Sequence, residues 1–146
     1  MSEERSKQAQ GGCHCGSVRY TTEGSPIYVP ICHCESCRRT TGAPMVMYVM
    51  FPESRIAFTK GERKIYQSSP GVRRSFCGDC GTPLAWEGIW GDKGVVEVHV
   101  STLDDPEMFL PDRHVFYSER LSWLEIADEL PRYNGSSFNT QPDTFG

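Results

Sequence analysis

The sequence predicts a mostly β protein held together by metal-bound cysteine loops, and three observations support this. Segments rich in β-branched and aromatic residues recur at 17–22, 45–51, 55–59, 63–68 and 95–100. Gly, Pro and Ser separate them, as turns separate strands. Alternation with period two is plain in Val46, Tyr48 and Met50, and in Val96 and Val98 against Glu97 and His99, the signature of half-buried strands. Finally, all seven cysteines fall into clusters: Cys13-x-Cys15, Cys32-x-Cys34-x-x-Cys37 and Cys77-x-x-Cys80.

Taken in order, residues 1–10 are polar without apolar periodicity and are expected to be a flexible segment, and the tail 134–146 likewise. Residues 11–133 are expected to form one domain, since 146 residues with 38% hydrophobic composition suffice for one ordinary core. Helix is expected only as a short turn after Cys34 and over 118–129, where Leu121, Leu124 and Ala127 or Asp128 follow helical spacing before Pro131. The run 45–51 reads as a core strand rather than a pocket wall. The stretch from Trp86 through Trp90 to Gly91 reads as a packed hairpin rather than an aromatic lid. Asp104 and Asp105, before Pro106, suit turn capping better than catalysis.

The formal charge of −4 argues against nucleic acid, and the pairs Arg38-Arg39 and Arg73-Arg74 are too small for a basic footprint. No stretch approaches the roughly 20 apolar residues of a membrane span. The first ten residues contain no apolar core of a secretory signal, and an odd number of cysteines fits a disulfide framework poorly. A soluble protein of a reducing compartment, the cytoplasm, is expected.

Zinc accounts for the cysteine spacing, because short gaps let one tight turn aim two sulfurs at one ion. Seven thiols cannot make two closed four-sulfur sites. Two zinc ions per chain are expected, one closed by four sulfurs and one held by three with a position left over, the usual difference between structural and catalytic zinc. In Cys77-Gly78-Asp79-Cys80-Gly81 the glycines permit the positive-φ backbone of a sulfur-lined knuckle. Cys13 and Cys15 can supply its other two ligands, although spacing alone also allows them to join Cys32 and Cys34. Cys32, Cys34 and Cys37 converge from six residues. A histidine, His14, His99 or His114, is the alternative fourth ligand there, whereas His33 lies between two ligands and is expected to point away.

The strings from Gly12 to Tyr20, from Cys32 to Arg38 with Gly42-Ala43, and from Phe76 to Leu84 resemble the glutathione-dependent formaldehyde-activating family, which includes the centromere protein V relatives. The likeness extends through 101–105, Pro111, His114, Trp123 and Leu130-Pro131. The resemblance implies a β-tent of packed antiparallel sheets. It also implies a structural zinc on Cys13, Cys15, Cys77 and Cys80, and a catalytic zinc on Cys32, Cys34 and Cys37. The implied activity is that of a carbon–sulfur lyase, the reversible joining of glutathione and formaldehyde into S-(hydroxymethyl)glutathione. Three thiolates weaken the Lewis acidity of a zinc ion, so thiol capture suits such a site better than hydrolysis. Arg38, Arg39, Arg73 or Arg74 would clamp a glutathione carboxylate. A zinc-stabilised scaffold and a thiol-based redox or metal-responsive protein are the alternative classes.

Overall fold

The computed structural model describes residues 7–137. The chain is mostly β, with antiparallel sheets and, among the described residues, one α-helix. The described residues divide into two compact units: 7–28 with 49–109, and 29–48 with 110–137.

In the first unit, strand β1 (Gln8–Gly12) pairs antiparallel with β2 (Arg19–Glu23), which pairs in turn with β5 (Ile56–Lys60). Strands β6 (Arg63–Ser69), β7 (Val72–Cys77), β8 (Pro83–Trp90) and β9 (Lys93–His99) form an antiparallel meander. Between Trp90 and Lys93 the hairpin turns on two residues, with Gly91 at φ 68° supplying the left-handed backbone that such a turn demands. The segment at Trp86 is therefore a hairpin arm. Val18, Leu84, Cys13 and Cys77 pack together with Phe58 against them, so two cysteines are members of this core cluster. Tyr20 and Phe58, with ring centroids 5.8 Å apart, continue that core.

In the second unit, β3 (Pro30–Cys32) is flanked by β4 (Val46–Pro52), antiparallel, and by β10 (Arg113–Val115), parallel. Along β4 the chain passes on into the first unit. Helix α1 (Glu35–Thr41) begins where the Cys34 sulfur accepts the Cys37 N–H and ends at Gly42, φ 73°.

Two expectations are corrected. Residues 8–10, expected within a flexible N-terminal segment, instead belong to β1, where Gln8 stands opposite Glu23 of β2; residues 1–6 and 138–146 lie outside the described residues. Nor is 118–129 a helix. A single 3-10 turn at Tyr117–Glu119 is followed by irregular chain in which Leu124, Ile126, Asp128 and Leu130 are half-buried and Glu125, Ala127 and Glu129 exposed. That is a period of two. Local backbone groups are taken elsewhere: Arg132 binds the Ile126 carbonyl at 3.0 Å, and the Asp128 side chain accepts from Leu130 N–H at 2.9 Å. Capping at 104–105 also divides: Asp105 accepts from Glu107 N–H, whereas Asp104 is paired with Arg19.

Candidate metal centres

Two similar loops build the first cluster. In one, Cys13 N–H reaches the Val18 carbonyl and Gly16 N–H the Cys13 carbonyl, both at 3.1 Å. In the other, Cys77 N–H reaches the Thr82 carbonyl at 3.0 Å and Gly81 N–H the Cys77 carbonyl at 2.9 Å. Gly16 and Gly81, at φ 81° and 80°, sit where a Cβ would be strained. The sulfurs of Cys13, Cys15, Cys77 and Cys80 lie within 4.8 Å of one another. Cys13 and Cys15 are 3.6 Å apart, Cys15 and Cys77 3.8 Å. A tetrahedron with bonds of about 2.3 Å has edges of about 3.8 Å, so the donor set fits zinc. The pairing of Cys13 and Cys15 with Cys32 and Cys34 is not the one formed.

Hydrogen bonds surround these sulfurs, and at Cys13 and Cys80 they favour the thiolate. Val18 N–H donates to Cys13 Sγ at 3.2 Å, and the N–H groups of Asp79 and Cys80 donate to Cys77 Sγ at 3.3 and 3.4 Å. The hydroxyl and N–H of Thr82 draw the Cys80 thiol down to about 5. Against burial, which opposes ionisation, the Val18 N–H and the Ser17 hydroxyl bring Cys13 down to about 7.

The second cluster comes from one stretch of chain. Cys32 closes β3, Cys34 caps α1, and Cys37 lies in its first turn, buried. The three sulfurs lie within 4.8 Å of one another, Cys32 and Cys37 being 3.5 Å apart. Cys37 N–H donates to Cys34 Sγ at 3.3 Å, and the Tyr48 hydroxyl donates to Cys37 Sγ at 3.2 Å. The Cys34 sulfur, then that of Cys37, and burial push the Cys32 thiol far above its ordinary range. For Cys34, the Cys32 hydrogen bond favours ionisation, but Cys37 and burial outweigh it and the thiol is raised. Three thiolates so placed, two of them buried, would repel one another without a cation among them, and a divalent, sulfur-seeking ion fits.

No histidine closes this cluster. His33 is buried and turns to His114, Nε2 to Nδ1 at 2.9 Å, while His114 Nε2 meets Asp128 Oδ2 at 2.9 Å. The carboxylate assigns the His114 proton to Nε2, so His114 Nδ1 accepts from His33 Nε2–H. Both nitrogens of His114 are thus committed, and His33 Nδ1 is left buried without a partner. Burial, then the neighbouring His114, depresses His33 to about 4. Burial likewise lowers His114 despite Asp128. His14 and His99 belong to the other unit and do not join the three sulfurs.

The family-level likeness is borne out. A model of the glutathione-dependent formaldehyde-activating enzyme matches residues 8–119. The chain belongs to that family. A Halomonas elongata protein provisionally named as such an enzyme is 30% identical over 129 residues, 80% of each chain. A Schizosaccharomyces pombe protein described as an uncharacterised lyase is 28% identical over 75 residues, 51% of this chain and 54% of its own. A Rhodobacter sphaeroides crystal structure has the same fold, with a TM-score of 0.55 at 24% identity, covering 65% of this chain and 87% of its own. Among the described residues no helix is long and apolar enough to cross a membrane.

The arginines expected as carboxylate clamps have other work. Arg38 braces the loop, its Nε on the His33 carbonyl and its Nη2 on that of Glu119, both at 3.2 Å. Arg39 pairs with Glu35 at 2.8 Å, Arg73 with Glu87 at 3.6 Å, and Arg74 donates to Ser68 Oγ. Arg120, which sequence reasoning missed, stacks on Tyr117 with its guanidinium 4.2 Å from the ring centroid. Together with Glu125, Leu124 and Ile126 these two line a cleft of about 440 Å³. The Tyr117 ring meets that of His33 edge-on at 5.2 Å.

Proposed function

We propose that this protein is a zinc-dependent carbon–sulfur lyase that joins glutathione and formaldehyde reversibly into S-(hydroxymethyl)glutathione. The observation that carries the reading is the three-sulfur cluster, which has no fourth protein ligand among the described residues. In this proposal Cys13, Cys15, Cys77 and Cys80 hold a structural zinc, and Cys32, Cys34 and Cys37 hold the catalytic one. When bound in the second cluster, zinc supplies the positive charge that keeps a substrate thiol ionised near neutral pH.

The remaining work falls to the chain. Cys32, Cys34 and Cys37 present their sulfurs from a loop that Arg38 and the His33–His114–Asp128 chain hold in place. Arg120 offers a cation at the cleft wall for a glutathione carboxylate. In the net reaction the thiol loses its proton, sulfur attacks the carbonyl carbon, and the C=O π pair moves to oxygen. Oxygen then takes up one proton, so that RSH and CH₂O give RSCH₂OH. Chemistry that depends on free thiols suits a reducing compartment, which supports the cytoplasm as the location.

The deciding experiment is zinc X-ray absorption on the reduced protein, with total zinc per chain, before and after glutathione is added. Two zinc ions and a mean sulfur count that rises with glutathione are expected. Two ions with an unchanged spectrum would sink the thiol-capture reading and leave a structural role.

A further inference from the structure

Two tyrosines are equally buried, Tyr20 and Tyr48 at 1% exposure each, yet their hydroxyls meet different partners. A buried phenol needs a hydrogen-bond partner. Tyr20 has a neutral one, Thr102 Oγ1 at 2.7 Å, and burial raises its own pKa to about 12. Tyr48 donates instead to Cys37 Sγ at 3.2 Å. A thiol is a weak acceptor and a thiolate a strong one, so this contact reaches full strength only when Cys37 is ionised. The register explains how the contact arises. Val46 lies opposite Cys32, and Tyr48, two residues on, projects from the same face of β4 toward the cysteine loop.

We propose that Tyr48 is a positioning residue of the three-sulfur site: its hydroxyl withdraws charge from the Cys37 thiolate and keeps a bound metal ion acidic enough to accept a substrate sulfur. The inference rests on the metal-site reading above and adds to it a side chain outside the ligand set. Three thiolates place three negative charges around a divalent ion, which leaves it little affinity for a fourth anionic ligand. A hydrogen bond to one sulfur lowers that sulfur's donation, and where Tyr48 and Cys37 are both buried water cannot readily replace it. The sulfurs of the four-cysteine cluster, which need no further ligand, are served by backbone N–H groups and by Ser17 and Thr82 hydroxyls, with no phenol.

The test uses the full chain loaded with Co(II), whose sulfur-to-metal charge-transfer absorption reports on thiolate donation. The contribution of the three-sulfur site is the part lost in Cys37→Ser. Tyr48→Phe is expected to move that absorption to longer wavelength and to weaken glutathione binding, read from the same band, by roughly threefold to tenfold. Tyr20→Phe, an equal deletion in an equally buried site, is expected to change neither. Should Tyr48→Phe fail to fold, 3-fluorotyrosine at position 48, a more acidic donor on the same ring, is expected to move the band to shorter wavelength. A Tyr48→Phe spectrum and glutathione affinity matching those of Tyr20→Phe would overturn the inference while leaving the metal site standing. Uptake of a single cobalt ion by the unaltered chain would overturn both.

Discussion

The two cysteine clusters use the same ligand atom in opposite ways. In the four-sulfur cluster two loops far apart in sequence meet, and their backbone N–H groups point at the sulfurs, so the site closes the first unit's core. In the three-sulfur cluster a single loop and one helical turn supply every sulfur, and side chains support them: Tyr48 on Cys37, Arg38 on the His33 carbonyl, and His114 with Asp128 behind His33. A cross-link between distant loops restrains the unfolded chain and stabilises the fold. A local loop restrains little chain, and its supports serve instead to orient it. In the proposed function the first site therefore serves stability and the second chemistry.

The largest effect should come from breaking the cross-link. Cys80→Ser removes a thiol held near pKa 5 and opens a site whose metal binding is coupled to folding, a term of order 10 kcal/mol in small zinc domains. Loss of cooperative unfolding in circular dichroism, or aggregation, is the expected outcome. Cys37→Ser should leave that transition within about 1 kcal/mol, yet release one zinc of two and abolish the glutathione-dependent change in zinc absorption. Equal destabilisation by both substitutions would erase the division of labour.

Acid offers a finer test, because His33 and His114 stand behind the three-sulfur loop, both with lowered pKa values. Burial, then His114, holds His33 near 4 in the folded chain against 6.5 when unfolded. Between those values the unfolded chain binds more protons, so this contribution is complete above pH 6.5 and is lost as pH falls toward 4. Its upper bound is about 3 kcal/mol. Urea unfolding of the metal-free chain should show a midpoint that falls across this window, and His33→Phe should flatten the slope. A slope unchanged by His33→Phe would mean that the buried imidazole is not held neutral at this loop.

Much of this contrast was legible in the sequence, for reasons particular to each element. Cysteine spacing is a local geometric signal, so each short cysteine loop could be read at once and the flanking glycines marked the turns, whereas the partnership of Cys13 and Cys15 with Cys77 and Cys80 depends on contacts far apart in sequence that spacing left open. Strands with clear alternation, such as that of Val46, Tyr48 and Met50, were equally legible. Strand β7 was not, because Arg73 and Arg74 interrupt its apolar pattern; across the sheet Arg73 and Arg63 pair with Glu87, which is buried on β8. Strands β3 and β10, of three residues each, are too short to show a period. The segment 118–129 misled because its leucines allow two periods, and the choice between them is made by Arg132 and His114 acting on Ile126 and Asp128. Alternation foretells that Tyr48 is buried, but not that its hydroxyl meets a sulfur.

The smallest effect concerns substrate reach, and it tests whether the cleft lined by Arg120 serves the three-sulfur cluster. Arg120 is held by its stacking on Tyr117 and by a bond of 3.1 Å from Nη1 to the Tyr117 carbonyl, and its side chain lines the cleft. A carboxylate bound there would be lost as a single charge-assisted contact, worth about 1.5 kcal/mol and therefore about tenfold in affinity. Arg120→Ala should accordingly raise KM for glutathione about tenfold with kcat nearly unchanged, because the contact is the same in ground and transition states. Arg120→Lys keeps the charge without the planar fork and should fall between. Truncated thiols without carboxylates, such as cysteamine, should not distinguish Arg120→Ala from the unaltered chain. If instead kcat falls and KM stays, Arg120 acts by fixing Tyr117 against His33, and the cleft belongs to the support of the sulfur loop rather than to its substrate.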